Sequence, residues 1–98
     1  MKRHTFLIGL ADKDTKQQEL SREVYLRTIY NVVGDCTISD AVGYYTHDNG
    51  ELVEEPSLRV DMLFKNENNI KGYADRLKVE LNQESIGYEV AEVELDLL

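Results

Sequence analysis

The sequence predicts a single α+β domain spanning residues 1–98, a ferredoxin-like β-α-β-β-α-β two-layer sandwich with both helices on one face of an antiparallel sheet. Three observations predict it. Two segments carry apolar residues at helical spacing, and each lies between strand-like runs. An Asp48-Asn49-Gly50 turn joins the two middle strands. The chain has 98 residues, the size of one domain with one core.

Thr5 to Leu10 reads as the first strand, apolar on both alternating sets apart from Gly9, as suits a strand covered on both faces. Thr15 and Gln18 have the spacing of a capping box, which starts a helix there and carries it to Val33. Tyr25, Leu26, Ile29, Val32 and Val33 form its apolar stripe, and Gly34 stops it. Thr37 to His47 is the second strand, and Glu51 to Phe64 contains the third. In the latter Leu58, Val60, Met62 and Phe64 alternate with Arg59 and Asp61. Pro56 cannot donate to a ladder, so a bend, a bulge or a missing partner is expected there.

Asn68 or Asn69 caps a second helix whose apolar stripe is Ile70, Tyr73, Ala74, Leu77 and Leu81. Ser85 to Leu97 is the last strand. Its apolar residues change parity at Val90-Ala91, which implies a bulge, and Glu92, Glu94 and Asp96 then form an acidic row.

Composition narrows the function classes. With 19 acidic and 11 basic residues the formal charge is −8, a field that repels nucleic acid and anionic lipid alike. Cys36 is the one cysteine, so no internal disulfide can form, and a reducing, cytoplasmic setting is expected. It reads as a structural thiol at a strand start. No apolar run reaches the length of a membrane span.

Thr37-Ile-Ser-Asp40-Ala41-Val-Gly43-Tyr, Glu55-Pro56-Ser57 and Gln83-Glu84-Ser85-Ile86 carry a resemblance. The chain resembles a family of small uncharacterised bacterial proteins, with landmarks Thr-x-x-Asp-Ala-x-Gly-aromatic, Glu-Pro-Ser and Gln-Glu-Ser-Val. The matching segments lie in order between Thr37 and Ile86. The family's tryptophan is absent, and Tyr44 and Tyr45 stand near its place. The resemblance implies the ferredoxin-like fold and brings no activity.

The same landmarks supply the candidate ligand-binding residues: Gly43, Tyr44, Tyr45, Glu55, Ser57, Gln83, Glu84 and Ser85. In a hairpin centred on Asn49, Glu55 falls about opposite Gly43. One reading is a polar pocket where a glycine admits a ligand to the backbone. The other is that these residues cap and turn the chain. Tyr44 and Tyr45 should point to opposite sides of the sheet, one into the core. His4, at the N-terminus, and His47, at the hairpin tip, lack metal-ligand spacing, and neither is expected to be catalytic. No metal, cofactor or catalytic residue is assigned.

Function is therefore not legible directly. The leading expectation is a binding or assembly module, a homodimer or the holder of a protein partner, acting through its second sheet face or an edge strand. The alternatives are a small cofactor-independent enzyme using Tyr44 or Tyr45, His47 and Glu55, and an acidic decoy of a phage or mobile element that occupies a basic site.

Overall fold

In a computed structural model describing residues 1–98, the chain runs β1 (Lys2–Gly9), α1 (Arg22–Val33), β2 (Thr37–Thr46), β3 (Leu52–Met62), α2 (Glu67–Glu80) and β4 (Gly87–Glu92). The four strands form one antiparallel sheet in the order β2-β3-β1-β4. This is the expected ferredoxin-like arrangement, with both crossovers placing a helix on the same face.

The core lies between the helices and the even-numbered side of the central strands. Phe6 and Ile8 of β1 and Leu58, Val60 and Met62 of β3 are fully buried there against Tyr25, Ile29, Val33, Ile70, Leu77 and Leu81. The odd-numbered side forms the second face. Its centre is polar: Thr5 donates to Asp61, Arg3 and Arg59 flank the same carboxylate, and Arg59 also reaches Glu89.

Several boundaries differ from the sequence reading, each for a local reason. The first helix begins at Arg22, capped by Ser21, whose hydroxyl accepts from the Val24 amide. The expected box at Thr15 does not form, because Asp12 captures the Asp14 and Thr15 amides and closes a loop over residues 12–17. The second helix is capped by Asn66, ahead of the expected Asn68 or Asn69. Gly34 ends α1 with φ 75°, and Gly50 turns the hairpin with φ 83°, both values that favour glycine.

Pro56 causes no bulge. The β2–β3 register runs unbroken from Thr37↔Asp61 to Thr46↔Leu52. The Pro56 carbonyl accepts from the Leu10 amide, so its nitrogen also faces the β1 side, away from β2. The missing donor therefore falls where β1 is running out, and costs β2 nothing. Nor is there a bulge at Val90-Ala91, since β1 and β4 pair evenly from Lys2↔Glu92 to Leu7↔Gly87. The strand ends at Glu92, and the apolar alternation beyond it is left mostly without a partner.

The β2–β3 hairpin outruns the rest of the sheet. β1 pairs only as far as Ser57, with Leu10 still bonded to Pro56, so the hairpin beyond them projects past the end of β1. Tyr44 consequently stays 62% exposed although it points to the helix side, correcting the expectation that one of the paired tyrosines enters the core.

Candidate functional site at the end of β1

Four of the candidate residues meet near the end of β1 on the second face, and two others line a groove beside it. On the second face Gly43 pairs directly with Glu55, and Gly9 with Ser57, so Gly43, Glu55, Ser57 and Gly9 form one patch. The Glu55 carboxylate lies across Gly9, where a side chain would collide with it. Tyr45 folds back over Gly43, its hydroxyl 2.6 Å from where a Cβ would stand. The two glycines are what let both side chains lie flat on the sheet.

Glu55 is half-buried, and no lysine, arginine or amino terminus pairs with it. The remaining acids of this face, Asp61 and Glu89, are matched by arginines. Burial, and then the charge of Glu55, hold the Tyr45 phenol above its ordinary value. Tyr45 is thus a neutral hydroxyl, 48% exposed, beside an uncompensated carboxylate.

From the helix layer Tyr25 reaches the same strand end, donating to the Leu10 carbonyl at 3.1 Å. Its phenol is also raised, mainly by burial, with added repulsion from Asp12 and Glu55. Gln83 is buried beside it and donates from Nε2 to the Ala11 carbonyl at 3.0 Å, with Tyr25 Oη 3.4 Å away. Tyr25 was legible only as a core residue, because its helical spacing hides the reach of the hydroxyl. Gln83, Glu84, Lys13, Asp14 and Lys16 line an open groove of about 420 Å³ on that side.

The landmarks thus separate. Gly43, Tyr45, Glu55 and Ser57 share the second face, and Gln83 and Glu84 belong to the neighbouring groove. Tyr44 points to the opposite side of the sheet, and Ser85 is an exposed residue before β4.

The histidines part company. His4 is not at a frayed end: β1 starts earlier than its apolar run, and His4 is 2% exposed on the helix-facing side. Its Nδ1 shares a 2.6 Å hydrogen bond with the Tyr88 hydroxyl, and the two rings stack. His47 is exposed at the hairpin. No group of three or more His, Cys, Asp or Glu side chains is arranged to hold a metal ion.

No family model matches the sequence, and no curated protein matches it. Solved structures do. A phage SAM lyase in its apo state aligns with a TM-score of 0.68 and 18% identity over 92% of this chain and 78% of that one. A phage SAM lyase in complex with S-methyl-5'-thioadenosine aligns at 0.63 and 21%, over 93% and 80%. The PII-like protein CutA from Nostoc sp. PCC 7120, in apo form, gives 0.58 and 18% over 96% and 82%. A DUF3240 family protein from Shewanella baltica OS155 gives 0.53 and 9% over 99% and 94%, so an uncharacterised family is among the likenesses. At these identities the shared property is the fold. No helix is long and apolar enough to cross a membrane.

Proposed function

We propose that the chain is a small cofactor-independent enzyme that takes a sulfonium nucleoside of the S-adenosylmethionine type at the end of β1, and cleaves it as a lyase. The observation that carries this reading is the uncompensated Glu55 carboxylate beside the Tyr45 phenol, both laid over glycines on an accessible sheet face. The phage SAM lyases that share the fold, one holding S-methyl-5'-thioadenosine, supply the substrate class.

The chemistry suits so sparse a site. S-adenosylmethionine carries a sulfonium, an ammonium and a carboxylate. As the bond from sulfur to the methionine Cγ breaks, its electron pair goes to sulfur and neutralises the cation. The substrate's own carboxylate oxygen can bond to that Cγ, closing a five-membered lactone. Every atom of the substrate is then in S-methyl-5'-thioadenosine or the lactone, and no water, metal or cofactor enters.

The protein's share is positioning. Glu55 attracts the cationic amino-acid end, and the Tyr45 ring offers its face to the sulfonium. Gly9 and Gly43 allow the substrate to lie against the backbone. Lys13 and Lys16 stand in the adjoining groove, where polar parts of the nucleoside can be held.

Incubation of the purified protein with S-adenosylmethionine tests this, with S-methyl-5'-thioadenosine followed by liquid chromatography against a protein-free control. Product should form in the wild type, and fall at least tenfold in Glu55→Gln and Tyr45→Ala with the fold retained. Product no faster than the control, from a folded protein, would overturn the reading.

A further inference from the structure

The groove beside Tyr25 is lined by Lys13, Asp14, Lys16, Gln83 and Glu84, none of them apolar. Gln83 is its one buried member, 7% exposed, and its partners orient its amide. Nε2 donates to the Ala11 carbonyl at 3.0 Å and to the Leu81 carbonyl at 3.3 Å, with Tyr25 Oη 3.4 Å away. The Tyr25 proton goes to the Leu10 carbonyl, so the oxygen it turns to Gln83 is an acceptor. A flipped amide would set Oε1 against all three. Oε1 is thereby held on the other branch of the amide, where no hydrogen bond of the protein reaches it. It is not sealed in, because Arg3 Nε is the one enclosed side-chain polar atom without a partner. A fixed acceptor thus opens into the groove.

The charges around that acceptor are two of each sign, and they are left unmatched. No ion pair joins Lys13, Lys16, Asp14 or Glu84 to one another or to any other group. Asp14 accepts from Asn82 Nδ2 at 2.9 Å, which sets its carboxylate beside the wall that carries Gln83 and Glu84. Lys16 Nζ donates to the Lys13 carbonyl at 2.6 Å, so both lysines belong to the facing loop. The two walls are tied together, since the Lys13 amide donates to the Asn82 carbonyl at 3.0 Å and Asn82 Nδ2 to Asp12 at 2.8 Å. The groove is therefore held open with both of its charge poles free.

We propose that this groove binds a small polar α-amino acid as its zwitterion, the ammonium on Gln83 Oε1 with Glu84 and Asp14, the carboxylate on Lys13 and Lys16. An ammonium brings three donors, enough for the neutral acceptor and the two acids. A carboxylate takes charge-assisted bonds from the lysines. The lining disfavours other classes. A simple anion would meet Asp14 and Glu84, a simple cation would meet the lysines, and an apolar side chain would find no apolar wall. The lysines are those offered above to the nucleoside, so one occupant excludes the other. Binding of the amino acid does not depend on the lyase reading.

Titration of the isotope-labelled protein with L-serine, without S-adenosylmethionine, tests this by NMR. Serine should give saturable shifts of the Gln83 side-chain amide and of the backbone amides of residues 13–16 and 82–84. Ethanolamine and 3-hydroxypropanoate, which each keep one of its two charges, should bind about tenfold more weakly. Lys13→Met and Glu84→Gln, both at exposed positions, should each lower the affinity for serine about tenfold and leave the fold unchanged. Absent or non-saturating shifts with serine would overturn the proposal. So would equal binding of the two singly charged probes, or variants that bind serine as the wild type does.

Discussion

The carboxylate of Glu55 lies across Gly9, in the space that any larger residue at position 9 would need. That contact is with the far end of a flexible side chain, so an added methyl would move the carboxylate before it moved the backbone. Gly9→Ala should therefore shift the melting temperature by no more than a few degrees, while lowering the rate of S-methyl-5'-thioadenosine formation about tenfold or more. Thermal melts and product assays on the same preparation check both halves. A glycine needed only for packing would reverse the pattern.

Alkali should reveal the two shielded phenols. Tyr25 and Tyr45 are both raised above the ordinary value, chiefly by burial. In the unfolded chain they lose their protons near pH 10, whereas the folded chain still holds them. The unfolded state then binds fewer protons, so stability falls as pH rises through that point. Urea midpoints should begin to fall at about pH 8.5, where the Cys36 thiol of the unfolded chain ionises, and fall more steeply above about pH 10. In Tyr45→Phe the drop should be shallower, the remainder being shared by Tyr25, Cys36 and the ion-paired Lys2 and Lys71.

The stacked pair His4 and Tyr88 forms a polar island against the core, with Phe6 edge-on to Tyr88 at 6.0 Å. Tyr88→Phe deprives a buried ring nitrogen of its partner and should cost about 1 kcal/mol. Replacing His4 alone by Phe should also destabilise. The double replacement should lie nearer the wild type than the sum of the singles, because neither polar group is then left unmatched. Denaturant unfolding of the four proteins completes the cycle.

The patterns read along the chain are those that local chemistry dictates. Leu58, Val60 and Met62 alternate into the core, Gly34 and Gly50 take the left-handed angles, and the β-α-β-β-α-β order follows. The errors arose where a distant group intervened. Asp12 took the amides that a helix from Thr15 would have used, aided by Asn82 from the far side of α2, which donates to the same carboxylate. His4 looked terminal because its burial depends on Tyr88, 84 residues away. The hairpin offset disclosed Gly43 opposite Glu55, but not that β1 delivers Gly9 beneath that carboxylate. Tyr25 and Gln83 meet only because two separate elements end beside Leu10 and Ala11.

Cys36 gives a prediction that rests chiefly on burial. It stands just before β2, half-buried and packed against the core. Burial pushes its thiol up, the nearby Lys65 pulls it down more weakly, and Asp35 adds to the rise. The thiolate is the reactive form, so at neutral pH the folded protein should react with a disulfide reagent several-fold more slowly than the chain in denaturant. The rate should keep climbing above the range where an ordinary thiol has levelled off. Lys65→Ala should slow it further, since the one favourable charge is gone. A folded-state rate equal to that of the denatured chain would mean that Cys36 is not shielded by the core.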